Sequence, residues 1–158
     1  MHTVAWSQCP PEFQAFITSL LGQPPVQEPE VFFGEVFNAF LVPHEMSHFV
    51  DAKMGRLRNG GRYYDGEVHA NRVAVAFWLT QPGGEARMEK LMSSVRTVQS
   101  NLPNPVPQGA DPVAYFDANY QALGSDPAAY GWYQFQMFLD AWALKDRDNF
   151  PSLLAAGA

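Results

Sequence analysis

Residues 37 to 51 read FNAFLVPHEMSHFVD, and this stretch predicts the central helix of the fold. Residues 44 to 48 within it form the pattern HExxH. Two histidines four apart on a helix lie about 40° apart around the axis and roughly 6 Å apart along it, so both imidazoles can reach one metal ion. Glu45 then stands where it can act on a water bound to that ion. The helical stripe that contains the two histidines comprises Phe37, Phe40, Leu41, His44, His48 and Asp51.

The composition predicts a compact soluble body around that helix. The chain has 158 residues, of which 47% are hydrophobic and 14% aromatic, so we expect a single domain over residues 1–158 with a substantial core. The net charge is −6 and the ten Lys and Arg residues do not cluster, which argues against a nucleic-acid partner. An acidic surface also disfavours membrane binding, and no apolar run reaches the roughly eighteen residues that a membrane span requires.

Few features of the sequence indicate the cellular compartment of the protein. No basic segment followed by an apolar stretch opens the chain, so we expect no signal peptide. Cys9 is the only cysteine, which means that no internal disulfide can form. This pattern slightly favours the cytoplasm, and it is also compatible with an exported mature protein that needs no crosslink.

Prolines and glycines divide the chain into mostly helical pieces, and we expect a mainly α core of about five to six helices. The glycine-rich segment 55–63 carries several arginines and is predicted to be a solvated connector rather than a substrate-binding loop. The helices predicted beside the motif helix span residues 11–21, 65–79, 85–101, 112–123 and 127–145, and a short turn over 151–156 closes the chain.

Residues 31–42 allow two interpretations. Their aromatic and β-branched content suits a strand, so at most a small edge sheet is expected here. The stripe that continues into the two histidines instead favours a helix beginning near Gly34 and kinked at Pro43, and we favour this helix.

A catalytic zinc ion needs a third protein ligand beside His44 and His48. Glu67 is the leading candidate, because it lies in the first turn of the next helix and the connecting loop can fold that helix back across the first. His69 could replace Glu67 only if that helix were rotated, since two residues on a helix point roughly 200° apart. Asn71 lies one turn after Glu67 on the same face and could brace a ligand histidine through its outer nitrogen.

These residues resemble a known class of enzyme. The HExxH pattern at residues 44–48, followed by Glu67 and Asn71, is similar to the glutamate-zincins, metallopeptidases whose third ligand is a glutamate on a following helix. In the thermolysin branch an aspartate occupies the position of Asn71. Residues 67–74 also resemble the ExxAN segment of small ImmA/IrrE-like bacterial metallopeptidases. The resemblance is confined to residues 44–48 and 65–74. The metzincin pattern is not met, because Asp51 and Met54 stand where it requires a glycine and a histidine.

The resemblance implies a zincin-like helical core and a zinc-dependent hydrolase acting on a peptide or protein substrate. His44, His48 and Glu67 would bind Zn²⁺, and Glu45 would be the general base and later the proton donor. The tetrahedral oxyanion needs a hydrogen-bond donor, for which the aromatic run that opens the last long helix offers Tyr130 and Tyr133.

Two other functions stay open at the level of sequence. Zincins usually hold extended substrate by strand addition, and no clear edge strand is evident. The chain could therefore be a catalytically inactive zincin-like module that binds metal or peptide. The same ligands could also serve hydrolysis of a non-peptide amide.

Overall fold

The computed structural model describes residues 4–56 and 62–157, and these ranges contain helices and no β-strand. The prediction of a mainly α fold is confirmed. The central residues 57–61 of the predicted glycine-rich connector lie outside the described ranges. The elements are a 3₁₀ turn (Trp6–Gln8), α1 (Pro11–Leu20), α2 (Pro29–Phe33), a π-helical segment (Gly34–Phe40), α3 (Leu41–Lys53), α4 (Tyr63–Leu79), α5 (Gly84–Asn101), α6 (Pro112–Gly124), α7 (Pro127–Ala143) and α8 (Phe150–Ala156).

Side-chain caps followed by proline fix the starts of the C-terminal helices. Asp111 accepts a hydrogen bond from the Ala114 N–H, and Asp126 accepts from two N–H groups in the first turn of α7. Each is followed by a proline, whose missing N–H is one that the first helical turn leaves unbonded anyway. Asn149 caps α8 in the same way, so the closing segment is a short helix rather than the turn that we predicted.

Residues 29–53 are helical throughout, because α2, the π-helical segment and α3 follow one another without a break. Residues 31–42 therefore form no edge strand, and the helix begins at Pro29 rather than near Gly34. The π-helical segment, in which the Leu41 N–H bonds the Val36 carbonyl, comes just before Pro43. A proline inside a helix cannot donate a hydrogen bond and crowds the carbonyl four residues earlier, and a wider preceding turn accommodates both defects.

Helix α4 is the central element of the fold. It packs against α3, α5, α6, α7 and α8, and its middle residues are buried on more than one face. The largest core cluster lies between the helical stretch 29–53, α5 and α7, with fully buried Phe32, Phe40 and Phe138. Helices α3 and α7 both pack against α4, and polar residues of the three helices meet at one place. Within the described ranges, none of the helices has the length and apolarity that spanning a bilayer requires.

Candidate metal centre

Three side chains from α3 and α4 converge on one point. His44 and Glu67 are buried, and His48 is partly exposed. His44 Nε2 lies 3.2 Å from His48 Nε2 and 3.3 Å from Glu67 Oε2. His48 Nε2 lies 3.7 Å from Glu67 Oε1. One ligand atom from each of these residues lies within 4.8 Å of the other two, so the group could hold a metal ion.

These distances fit a tetrahedral site for zinc. With metal–ligand bonds of about 2.0–2.1 Å, neighbouring ligand atoms of a tetrahedron lie roughly 3.4 Å apart. The three separations between His44, His48 and Glu67 span 3.2 to 3.7 Å. Two imidazoles and a carboxylate also make up a ligand set that catalytic zinc sites use. The residues present therefore match the expected ligand set in both geometry and chemistry.

Asn71 fixes the orientation of His44, as the sequence suggested. Its Oδ1 lies 2.8 Å from His44 Nδ1, and the amide is fully buried. An amide oxygen can only accept, so Nδ1 donates and Nε2 is the nitrogen that faces Glu67 Oε2. Without a metal, Nε2 can donate to this carboxylate only when the ring carries a second proton. With a cation bound, the lone pair of the neutral ring and the carboxylate oxygen would both face the cation.

Gln134 links α7 to Glu67 and Asn71 of α4, and sequence analysis missed it. Its Nε2 donates to Glu67 Oε2 at 2.6 Å, while its Oε1 accepts from Asn71 Nδ2 at 3.4 Å. The same Nε2 lies 2.9 Å from the Tyr130 hydroxyl. One feature of the sequence could have indicated Gln134: it stands between Tyr133 and Phe135 in a helix whose neighbours are mostly apolar. A buried amide in such a helix needs hydrogen-bond partners.

The tyrosines are placed differently from one another. Tyr130 borders the cavity at the metal centre, whereas Tyr133 packs into a second core cluster and donates to the Pro112 carbonyl at 2.9 Å. Tyr120 on α6, which the sequence did not single out, donates to Glu67 Oε1 at 3.1 Å. The ring of Tyr63 stacks on Tyr120, with centroids 4.2 Å apart and planes 5° from parallel. Tyr120 and Tyr130, rather than Tyr133, therefore bring hydroxyl groups to the centre.

The charges at the centre are coupled. Burial raises the pKa of Glu67, but hydrogen bonds with the two ligand histidines outweigh burial and hold that pKa well below its ordinary value. The hydrogen bond with Glu67 raises the pKa of His48, against the lowering effect of burial. Burial, and then the Glu67 charge, raise the pKa of Tyr120 and of Tyr130, so both phenols stay protonated and can donate.

His69 and Asp51 lie outside this group. His69 is buried, its pKa is lowered by burial, and its Nε2 has no hydrogen-bond partner among the described residues. Asp51 forms a buried ion pair with Arg56, whose guanidinium also donates to the carbonyl of Leu154 in α8. The group that could hold a metal contains Glu67 and not His69, which agrees with the leading candidate from the sequence.

Glu45 lies on the exposed side of α3 beside the ligands. It borders a cavity of about 880 Å³ whose wall also contains His44, His48 and Glu67. This position gives Glu45 access to a molecule in the cavity without making it one of the three converging ligands. The arrangement therefore separates three metal ligands from one free carboxylate, as hydrolytic chemistry at a metal requires.

Comparisons of the chain with protein-family models, with curated proteins and with solved structures find no match.

Replacing Asn71 by Ala should lower zinc affinity by about 10–100-fold, because outer partners of ligand histidines contribute that much. Asn71→Asp keeps an acceptor for His44 Nδ1 and should lose less. Competition with a chromogenic zinc chelator measures both affinities, and circular dichroism checks the fold. Equal affinity in a folded Asn71→Ala variant would contradict the bracing role.

The metal-free protein should lose stability as the pH rises above about 6.5. The pKa of His48 is raised in the folded state. The stabilisation of the fold by His48 is therefore complete below the ordinary pKa of 6.5, and it is lost as the pH rises through the higher folded value. The pKa of Glu67 is lowered, so its contribution is present above the ordinary value of 4.5 and is lost as pH falls through the folded value. Melting temperatures in chelator from pH 4 to 8.5 test this, with His48→Gln expected to flatten the alkaline side. A melting temperature that rises between pH 6.5 and 8 would contradict it.

Proposed function

We propose that this chain is a zinc-dependent hydrolase that cleaves peptide bonds. The observation that carries the proposal is the convergence of His44, His48 and Glu67 on the wall of a cavity that Glu45 also borders. Zinc, when bound, supplies a Lewis acid that polarises a carbonyl and brings the pKa of a coordinated water toward about 7. The resemblance of residues 44–48 and 65–74 to the glutamate-zincins supports the same reaction.

The protein's own residues supply the remaining steps. Glu45 takes a proton from the attacking water and later gives it to the leaving amine. Asn71 holds His44 in one tautomer, and Gln134 holds Glu67 in place. The hydroxyl of Tyr130 donates a hydrogen bond to the developing oxyanion, and removing such a donor commonly costs a factor of about 10²–10³ in rate.

The hydrolysis should depend on zinc. The purified protein with one equivalent of zinc is expected to cleave short fluorogenic peptides, to lose that activity in chelator, and to regain it when zinc is added back. A mass-spectrometric readout identifies the bond that is cut. If the zinc-loaded protein binds the metal and cleaves no peptide in a broad library, the proposed reaction is wrong.

A metal- or peptide-binding regulatory module without turnover is the second candidate. The observation in its favour is that residues 31–42 are helical, so no strand in the described ranges lies beside α3 to hold extended substrate. Binding of peptides to the zinc-loaded protein without cleavage would support this candidate.

A further inference from the structure

The cavity beside the metal centre is lined by both polar and apolar side chains. Several of the polar ones contact one another: Glu67 is bonded to Tyr120 and Gln134, and Tyr63 stacks on Tyr120. Much of the remaining lining is apolar. We call the apolar wall the group that comprises Phe13, Phe16, Phe37, Leu41 and Phe135.

The apolar wall is held in place by aromatic packing outside the cavity. The rings of Phe13 and Phe37 meet edge to face with centroids 6.0 Å apart, and Phe33 stacks on Phe37 at 4.9 Å. Phe13 and Phe37 are only partly buried, although they belong to the packing of the main core. Apolar surface that is held rigid and left accessible next to a reactive centre is typical of ligand pockets.

The size of the cavity sets a limit on its occupant. Pockets for small molecules enclose about 300–1,000 Å³, and this cavity of about 880 Å³ falls in that range. The cavity can hold a small molecule with one large apolar group. A polar group against the apolar wall would lose hydrogen bonds to water without replacement, which disfavours sugars and charged side chains there.

We propose that the substrate is a small amide with one large apolar group, alkyl or aromatic, that lies against the apolar wall while the amide lies at the metal centre. This inference rests on the proposed hydrolase function and narrows its substrate class from peptides in general to short apolar amides. In the reaction, water adds to the amide carbon and the carbon–nitrogen bond breaks. The amine nitrogen takes the proton that Glu45 carried, and the acyl part leaves as a carboxylic acid that then releases its remaining proton to solvent.

A chain-length series tests the apolar wall directly. N-acyl glycinamides with acyl chains of 2, 6 and 12 carbons are titrated calorimetrically into metal-free and zinc-loaded protein. Affinity should rise about fourfold for each methylene from 2 to 6 carbons, as expected for transfer of a methylene from water to an apolar site. Equal affinities for the 2- and 6-carbon compounds in both forms of the protein would overturn the proposal.

Gly131 offers a variant that fills the cavity. A Cβ at this position would lie 3.6 Å from Leu102 and 3.9 Å from Phe135, which is ordinary contact, and all three residues border the cavity. Gly131→Leu should therefore fold and should reduce affinity for the 12-carbon compound at least tenfold, with zinc affinity unchanged. Gly34→Leu is the matched control, since a Cβ there meets nothing within 4 Å and Gly34 does not border the cavity. Unchanged 12-carbon affinity in folded Gly131→Leu would overturn the proposal.

The two proposals can fail separately. Binding that increases with acyl-chain length, without hydrolysis of any amide, would support the apolar wall as a ligand site and contradict the hydrolase function. Hydrolysis of unfolded casein faster than of the 12-carbon compound would support the hydrolase function and overturn the small-amide substrate.

Discussion

Zinc affinity is expected to fall by well over a hundredfold when Glu67 is replaced by Gln. Loss of an outer partner of a ligand costs about 10–100-fold, and loss of a ligand itself must cost more. Glutamine keeps the volume of Glu67 and an oxygen that can accept from Tyr120. It removes the negative charge, which is the part of Glu67 that attracts a cation. With two neutral imidazoles alone, the site would bind zinc weakly.

The experiment compares zinc content and affinity in wild type, Glu67→Gln and Glu67→Ala. Asp65→Ala is the matched control, because Asp65 is a carboxylate on the same helix that pairs with Arg62 away from the three ligands. It should leave zinc affinity within about twofold of wild type. Melting temperatures in chelator show whether each variant folds. Stoichiometric, tight zinc in folded Glu67→Gln would move the third ligand elsewhere and refute the assignment.

Much of the metal centre could be predicted from sequence because its geometry is local. The four-residue spacing of His44 and His48 places both rings on one helical face whatever the rest of the chain does. Asn71 follows Glu67 by four residues, so once α4 lies against α3 both residues face the same side. The caps Asp111 and Asp126 depend only on neighbouring backbone, and the structure has both.

The rest depends on how helices cross, which sequence periodicity does not specify. Tyr120 and Gln134 reach Glu67 from α6 and α7, more than fifty residues along the chain. The sequence offered Tyr130 and Tyr133 as equal candidates for the hydrogen-bond donor. On α7 they are three residues apart, and their hydroxyl groups contact different partners. Tyr130 meets Gln134, whereas Tyr133 meets the Pro112 carbonyl.

Residues 31–42 form the helix that their apolar stripe favoured, and not the alternative edge strand. Their aromatic side chains suit a strand, but the fold buries Phe32, Val36 and Phe40, which recur at helical spacing against α5 and α7. Tertiary packing therefore overrides local preference here. The result matters for the proposed function, because it places helical rather than extended backbone beside the metal centre, where Glu45 borders the cavity.

The rate of hydrolysis should fall by about 10²–10⁴-fold in Glu45→Gln, with zinc content unchanged. A positioned general base contributes about that factor, and an amide cannot accept a proton from water. Glu45 is exposed, so the substitution leaves no buried group unpaired and the fold should persist. It also stands outside the three converging ligands, so zinc should bind as in wild type. The same protein would then separate metal binding from catalysis, which no ligand variant can do.

The measurement is kcat/KM on the best substrate, together with zinc per chain by mass spectrometry. Met46→Gln is the matched control, because Met46 is the next residue on α3 and is 53% exposed. It places the same amide on the same helix without touching the carboxylate, and its rate should stay within about threefold of wild type. A pH–rate profile adds a second readout, since the acidic limb set by a general base should disappear with Glu45. Full activity in zinc-loaded Glu45→Gln would assign the proton transfer to another group and would end the analogy with HExxH peptidases, because the glutamate that defines the motif would have no chemical role.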